Sequence, residues 1–277
     1  MRLFLLTFCL LSGIVPLIAQ RNFKLQSPDG RLSVSIQVGK RITYSIVHEK
    51  DLVLSPSPVA MQLEDGSAFG VGSTLIRQQT TTINQEIRTT LYKKSSITDH
   101  YKELVLEFRE GFNLVFRAYN EGAAYRFIST RQTGFHVKNE PVVFNFAKDY
   151  DAWVPYVKSK AKDIKGQYFN SFENTYSYTP LSKMSPNKLA FTPLLVALDN
   201  GKKVCIAEAD MESYPGMYLV NSDGATSLQS NFAPYPLATE QGGHSQLQQL
   251  VTSRAPYIAQ CKGATNFPWR ILIVSTS

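Results

Sequence analysis

Apolar and polar side chains alternate at every second position through most of this chain, and nothing else constrains its fold so strongly. Leu32, Val34, Ile36 and Val38 alternate with Ser33, Ser35 and Gln37, and after Gly39-Lys40 the rhythm resumes in Ile42, Tyr44 and Ile46. Successive side chains of an extended strand point to opposite faces, so this period predicts a hairpin with one apolar face. Ser27-Pro28-Asp29-Gly30, just ahead of it, is turn chemistry. Further on, Leu104, Leu106 and Phe108 alternate with charged residues. Arg109-Glu110-Gly111 then turns the chain into Phe112, Leu114 and Phe116, and a third run, AAYRFIST, follows YNEG. That is an antiparallel meander. FHVKNEPVVFNF (135–146) continues the pattern, as does TPLLVALDNGKKVCIAEAD (192–210) through an Asp199-Asn200-Gly201-Lys202 turn. WRILIVS (269–275) adds one more strand.

Apolar residues nowhere hold helical spacing over a dozen positions, and there is no repeat, linker or low-complexity tract. Sixteen phenylalanines and fourteen tyrosines suit the layer between two sheets packed face to face. The fold class read from these features is all-β, a large sandwich of many antiparallel strands. One segment resists. Residues 157–188 are polar, lysine-rich and aromatic with weak alternation, and so long an irregular stretch inside a compact domain points to a functional loop.

The first nineteen residues read as something other than fold. Met1-Arg2 leads into an apolar run broken by Pro16, with a cleavage point after Ala19, the pattern of a secretory signal peptide. Cys9 sits inside the apolar run and not at the cleavage point, which argues against a lipid anchor. No later stretch is long enough to span a bilayer. The expectation is a domain over residues 20–277 that is secreted or periplasmic. Arg2 accounts for one unit of the net charge of +7; the rest is scattered, with no basic block of the kind that binds nucleic acid. Cys205 and Cys261 remain. Export permits a disulfide between them, and Cys205 in its apolar strand suits a buried free thiol equally.

Nucleophilic catalysis is poorly supplied. His48, His100, His136 and His244 fall in no metal-binding or triad motif, and no serine sits in a G-x-S-x-G elbow. Carboxylates are the better lead. Glu208, Asp210 and Glu212 occupy alternate positions where a strand ends, so they are expected to line one side of it. Glu173 lies in FENTY, within the irregular loop. Paired carboxylates perform glycoside hydrolysis, clusters of them bind calcium, and alternating acids also make an ordinary solvated face. Trp153, Tyr168, Tyr176 and Tyr178 suit stacking on sugar rings.

In order along the chain, YNEGAAYRF (119–127), AWVPY (152–156), FENTYSYT (172–179), EADMESYPGMYL (208–219) and PWRILIVS (268–275) resemble the N-terminal domain of glycoside hydrolase family 97. These are exported bacterial α-glucosidases and α-galactosidases, typical of polysaccharide utilisation in Bacteroidetes. The resemblance implies a β-super-sandwich of galactose-mutarotase type. It also implies an α-linked oligosaccharide as ligand and a following catalytic (β/α)₈ barrel, in the same chain or supplied by another, that carries the acid and base. A small C-terminal β-domain follows the barrel. This sequence ends at Ser277, just after the PWR strand, so the polypeptide by itself is expected to be inactive and no catalytic residue is assigned in it. In the calcium-dependent members a glutamate of an E-x-x-Y segment helps to hold the ion. Glu173 with Tyr176 matches that segment and is the expected metal residue. Glu208 matches a recurrent glutamate, expected to border the sugar site by orienting its neighbours; Trp153 and Tyr176 complete the expected substrate-binding set. Two other readings stand beside this one: a stand-alone carbohydrate-binding module, and an aldose epimerase-like enzyme. The latter requires a histidine and a carboxylate within reach of one sugar ring.

Overall fold

Each alternating run forms a strand, paired as its turn dictates. The computed structural model describes residues 20–199 and 201–276; the expected signal peptide, with Cys9, lies outside them, as does Asn200 of the predicted turn. Leu32–Val38 pairs with Ile42–His48 in the register Leu32↔His48 to Val38↔Ile42. The Ser27–Gly30 turn closes with the Gly30 N–H donating to Ser27 O at 3.0 Å. Gly30 has φ +76°, a region that favours glycine. The meander Ser96–Phe108, Phe112–Tyr119, Gly122–Ser129 is antiparallel throughout.

Two large sheets result. The seven-stranded sheet runs in the spatial order Arg21–Gln26, Leu32–Val38, Ile42–His48, Asp51–Val59, Val143–Asn145, Ser227–Phe232, Met217–Val220. The ten-stranded sheet runs Ser177–Pro180, Asp151–Val154, Leu194–Ala197, Lys203–Ala209, Trp269–Ser275, Gly122–Ser129, Phe112–Tyr119, Ser96–Phe108, Leu75–Arg88, with Thr265–Asn266 beside Gly122–Ser129. A four-stranded sheet and a two-stranded hairpin flank them. Among the described residues the only helical turns are three short 3₁₀ segments, and no helix is long and apolar enough to cross a membrane.

The core lies between the two large sheets. Leu32, Val34, Ile36, Ile42 and Ile46 from one face Leu106, Leu114, Phe116 and Phe127 from the other, all buried. Tyr44 of the first sheet meets Phe116 and Tyr125 of the second at ring-centroid distances of 5.8 and 5.2 Å. Each such side chain removed from water contributes about 1.5–3 kcal/mol, which is why alternation alone specifies the layer.

Three stretches depart from the expectation. FHVKNEPVVFNF continues the alternation but divides between two sheets. Phe135–Asn139 joins the small sheet and Val143–Asn145 the seven-stranded one, because Pro141 has no N–H for a ladder and the chain crosses between sheets at Glu140. Leu75–Arg88 and the start of Ser96–Phe108 form a long hairpin whose outer half is exposed on both faces. Its polar sequence, QQTTTINQEIR, carries no apolar alternation for that reason. Finally, the acid-bearing strand stops at Ala209, and Asp210 takes φ +64°.

Candidate functional site

That left-handed residue breaks the expected row of acids. Glu208 has the parity of Val204 and Ile206, both fully buried, so its side chain enters the space between the sheets. Asp210 turns outward and accepts a hydrogen bond from Arg126 Nη1 at 2.9 Å, and Glu212 is exposed in the following turn. The three carboxylates do not line one side.

Inside, Glu208 faces Arg270 across the ladder between Lys203–Ala209 and Trp269–Ser275. Arg270 has no exposed surface. Its Nη1 donates to Glu208 Oε2 at 2.7 Å, while Nε and Nη2 donate to the two oxygens of Glu140 at 2.9 and 2.6 Å. Glu208 Oε1 accepts the Met217 N–H at 2.9 Å and the Thr192 hydroxyl at 3.2 Å. Phe232 and Tyr214 flank the guanidinium at 5.2 and 5.8 Å. Burial raises the Glu208 pKa, with Arg270, the Met217 N–H and the Thr192 hydroxyl pulling the other way. Burial also opposes charge on Arg270, but Glu140 above all outweighs it and holds the guanidinium's pKa above its ordinary value. A buried charge survives only where partners replace its water, and here every partner is another element of the fold. The Glu208 carboxylate, expected to border a sugar site, is engaged inside the layer by Arg270, Thr192 and the Met217 N–H. The arginine that makes this possible went unassigned in the sequence, although its parity with Leu272 and Val274 places it on the buried face and calls for a carboxylate.

The aromatic candidates lie on the opposite, outer face of the ten-stranded sheet. Trp153 sits in register with Tyr178, their rings 4.7 Å apart, and Tyr178 donates to Asp151 Oδ2 at 3.0 Å. Tyr178 and Tyr176 are about half exposed, at 58% and 46%. Trp153 and Tyr176 line one shallow cleft of about 350 Å³ with Pro193, Leu195 and Cys205. Tyr168 is not among them. It packs on the satellite cluster of Val157, Leu189 and Val220, and its hydroxyl donates to Asn231 Oδ1 at 2.6 Å.

Glu173 is exposed in the loop that carries Tyr176, and no ion pair or hydrogen bond among the described residues engages its carboxylate. The loop itself is held. Gln167 is buried, donating through Nε2 to Asn187 O at 2.7 Å and accepting the Leu189 N–H at 3.0 Å; Asn174 Nδ2 donates to Tyr156 O at 3.2 Å. Glu173 is thus an available oxygen donor on a fixed loop. Calcium takes six to eight oxygens, and the described residues contain no group of three or more His, Cys, Asp or Glu able to hold an ion. One ligand of a shell fits this position; a whole shell does not.

His136 and Glu64, 72 residues apart, do meet, with Nδ1 at 2.6 Å from Oε2 and the ring stacked on Tyr257 at 4.0 Å. They touch each other directly. The pair lies at the surface and lines a cavity of about 330 Å³ with Asp65, Arg131 and Phe135. Among the described residues Cys205 and Cys261 are free thiols; burial pushes Cys261 up to about 11 and also raises Cys205.

Comparison with known proteins bears on this arrangement. A family model described as Glycosyl-hydrolase 97 N-terminal matches residues 25–277. A retaining alpha-galactosidase of Bacteroides thetaiotaomicron is 45% identical over 275 residues, which cover 98% of this chain and 42% of that protein. A probable retaining alpha-galactosidase of Streptomyces bingchenggensis is 24% identical over 252 residues, covering 89% and 34%. Among solved structures, a Glycoside Hydrolase Family 97 enzyme from Pseudoalteromonas sp. strain K8 in complex with acarbose superposes with TM-score 0.72 at 18% identity, covering 92% of this chain and 36% of that one. A beta-arabinopyranosidase gives 0.74 at 19% identity, covering 92% and 40%. The two structures share the fold, and the chain spans less than half the length of the relatives it matches.

Proposed function

The chain belongs to the glycosyl-hydrolase 97 N-terminal family, and from that premise we propose that it is the carbohydrate-contacting, non-catalytic domain of an exported α-glycosidase. One observation carries the reading. Trp153, Tyr176 and Tyr178 gather at one end of the outer sheet face, beside a fixed loop bearing an exposed carboxylate, while the strand-borne Glu208 is enclosed in the fold. Ring faces on a rigid strand and loop offer apolar area to the C–H face of a pyranose at low entropic cost. Glu173 supplies one oxygen toward a calcium ion, and a barrel supplies the remaining ligands together with the catalytic acid and base. The 45%-identical relative is a retaining alpha-galactosidase, which favours an α-galactoside over an α-glucoside as the sugar contacted here.

Intrinsic tryptophan fluorescence tests the reading. The chain has two tryptophans, so the part of the signal lost in Trp153→Phe reports the cleft. Titration with an α-galacto-oligosaccharide is expected to shift that part, with weak, millimolar affinity that Tyr176→Ala reduces by about tenfold, the effect of losing one stacked ring. Both variants should unfold within about 0.5 kcal/mol of the parent, as surface changes do. An unchanged Trp153 signal at saturating sugar, or equal affinity in Tyr176→Ala, contradicts the proposal.

A further inference from the structure

The rest of the outer face is unlike its aromatic end. Trp153, Leu195, Cys205, Ile273, Gly122 and Tyr119 are successive in-register partners across six strands. They form one straight row of about 24 Å, at the usual spacing between strands. The next row runs Ala207, Ile271, Ala124. The middle of the face is therefore alanine, cysteine and isoleucine with no charge, and Ile273 is 44% exposed. Larger rings border it, Trp153 at one end of the row, Tyr119 at the other, and Trp269 farther along the strand of Ile271 and Ile273. Between them a hollow of about 480 Å³ opens over Ala124, Ile271 and Ile273. It neighbours the cleft at Trp153, since Ile273 of the one is the ladder partner of Cys205 of the other. The result is a trough, low in the middle and walled at both ends.

A sugar does not suit this trough. Its floor lacks the convergent polar groups that fix a saccharide, and the guanidinium groups of Arg117 and Arg126 already lie against Trp269 at 4.5 and 4.4 Å. Those two arginines are themselves paired, with Glu103 and Asp210, and Glu121 adds one acid to the rim. Sheet faces made of small and β-branched residues are covered in proteins by helices packed about 10 Å above them, and a 24 Å row accommodates about sixteen helical residues. The relatives contain the polypeptide to do it. The matched residues are 42% of the Bacteroides thetaiotaomicron protein, and the matching family model is that of an N-terminal unit. In such relatives the chain continues from the strand corresponding to Trp269–Ser275, which lies in the middle of this sheet.

We propose that the trough floored by Cys205, Ala207, Ile271, Ile273 and Ala124 is the seat of an apolar-faced helix from the polypeptide that follows this domain in the full-length enzymes. The inference rests on the reading of the chain as the first domain of a longer glycosidase, and it deepens that reading by naming the docking surface. It makes the aromatic cleft the open margin of a domain interface, where a sugar bound in the second domain reaches Trp153 and Tyr176.

Cys205 is the reporter, half-buried on the trough floor, with the buried Cys261 as internal reference. The chain is compared, by peptide-mapped maleimide alkylation at pH 8, with a fusion in which the downstream part of the Bacteroides thetaiotaomicron enzyme follows Ser277. Hydrolysis of an aryl α-galactoside verifies that the added part is folded. Alkylation of Cys205 is expected to be about tenfold slower or more in the fusion, since thiol reactivity follows access. Ile273→Lys, an outward position, should restore the faster rate in the fusion while leaving the melting temperature of the isolated chain unchanged. Tyr178→Ala, on the edge strand and outside the cleft lining that holds Cys205, should weaken sugar contact without changing Cys205 protection, which separates failure of this proposal from failure of the carbohydrate reading. Equal alkylation rates in chain and fusion overturn the proposal. So does protection that grows with concentration in the isolated chain and disappears in Ile273→Lys, which would assign the face to a second copy.

Discussion

The two glutamates singled out by sequence, Glu208 and Glu173, have the same side chain and opposite circumstances. Glu208 stands on a strand with the parity of the core, and its oxygens are taken by Arg270, Thr192 and the Met217 N–H. Glu173 stands on an irregular but pinned loop with its carboxylate in solvent. A strand position is committed by its parity, so an acid there must find buried partners or unfold the layer. A loop position carries no such commitment, and its side chain is available to a ligand. The difference teaches that a carboxylate's role in this fold is decided by the element that carries it more than by its neighbours in sequence.

The sharpest way to break that contrast is at the centre of the buried network. Arg270→Met leaves Glu140 and Glu208 facing each other without their cation, and loss of one partner of a buried ionic cluster costs about 3–5 kcal/mol. Urea unfolding should show a correspondingly lower midpoint or no cooperative transition. A parent-like midpoint would mean that water reaches the network and that the inner face is less sealed than the burial of Arg270 implies.

A smaller effect separates fold-holding acids that are not buried. Asp29 accepts from the Ser27 hydroxyl, the Arg31 N–H and Arg31 Nε at 2.6, 3.0 and 2.7 Å. Burial works to raise its pKa, but these hydrogen bonds and the charge of Arg31 together lower it to about 2. A carboxyl with a depressed folded-state pKa contributes stability above its unfolded value, near 3.9, and loses that contribution as pH falls through the folded value. Asp29→Asn should therefore cost about 0.5–1.5 kcal/mol at pH 7, the net worth of its hydrogen bonds. The gap to the parent should close between about pH 4 and pH 2. A gap independent of pH would show that the turn is held by its backbone alone.

Much of the fold was legible because one face of most strands is buried. The hairpin at Leu32–His48 and the meander from Leu104 to Ser129 follow their alternation residue by residue. The outer half of the hairpin at Ile83–Tyr101 was not legible, since a strand wet on both faces leaves no period in the sequence. The site was legible in part. Trp153 and Tyr176 meet in one cleft, but Tyr168 serves a satellite core, and nothing in its spacing separates it from the other tyrosines. The partnership of Glu208, Arg270 and Glu140 joins residues up to 130 positions apart. Parity places the first two on the buried face; only the folded chain brings Glu140 to them.

The most direct test of the contrast is equilibrium urea unfolding of Glu208→Gln and Glu173→Gln beside the parent, at pH 7 without added calcium. Glu208→Gln keeps the shape but withdraws the charge from Arg270, and should lower stability by about 1–3 kcal/mol, as for a buried charged hydrogen bond. Glu173→Gln should lie within about 0.5 kcal/mol of the parent, as for an exposed position. The opposite order, with Glu173→Gln destabilised and Glu208→Gln unaffected, would make the loop glutamate the structural one and contradict the division of roles between strand and loop.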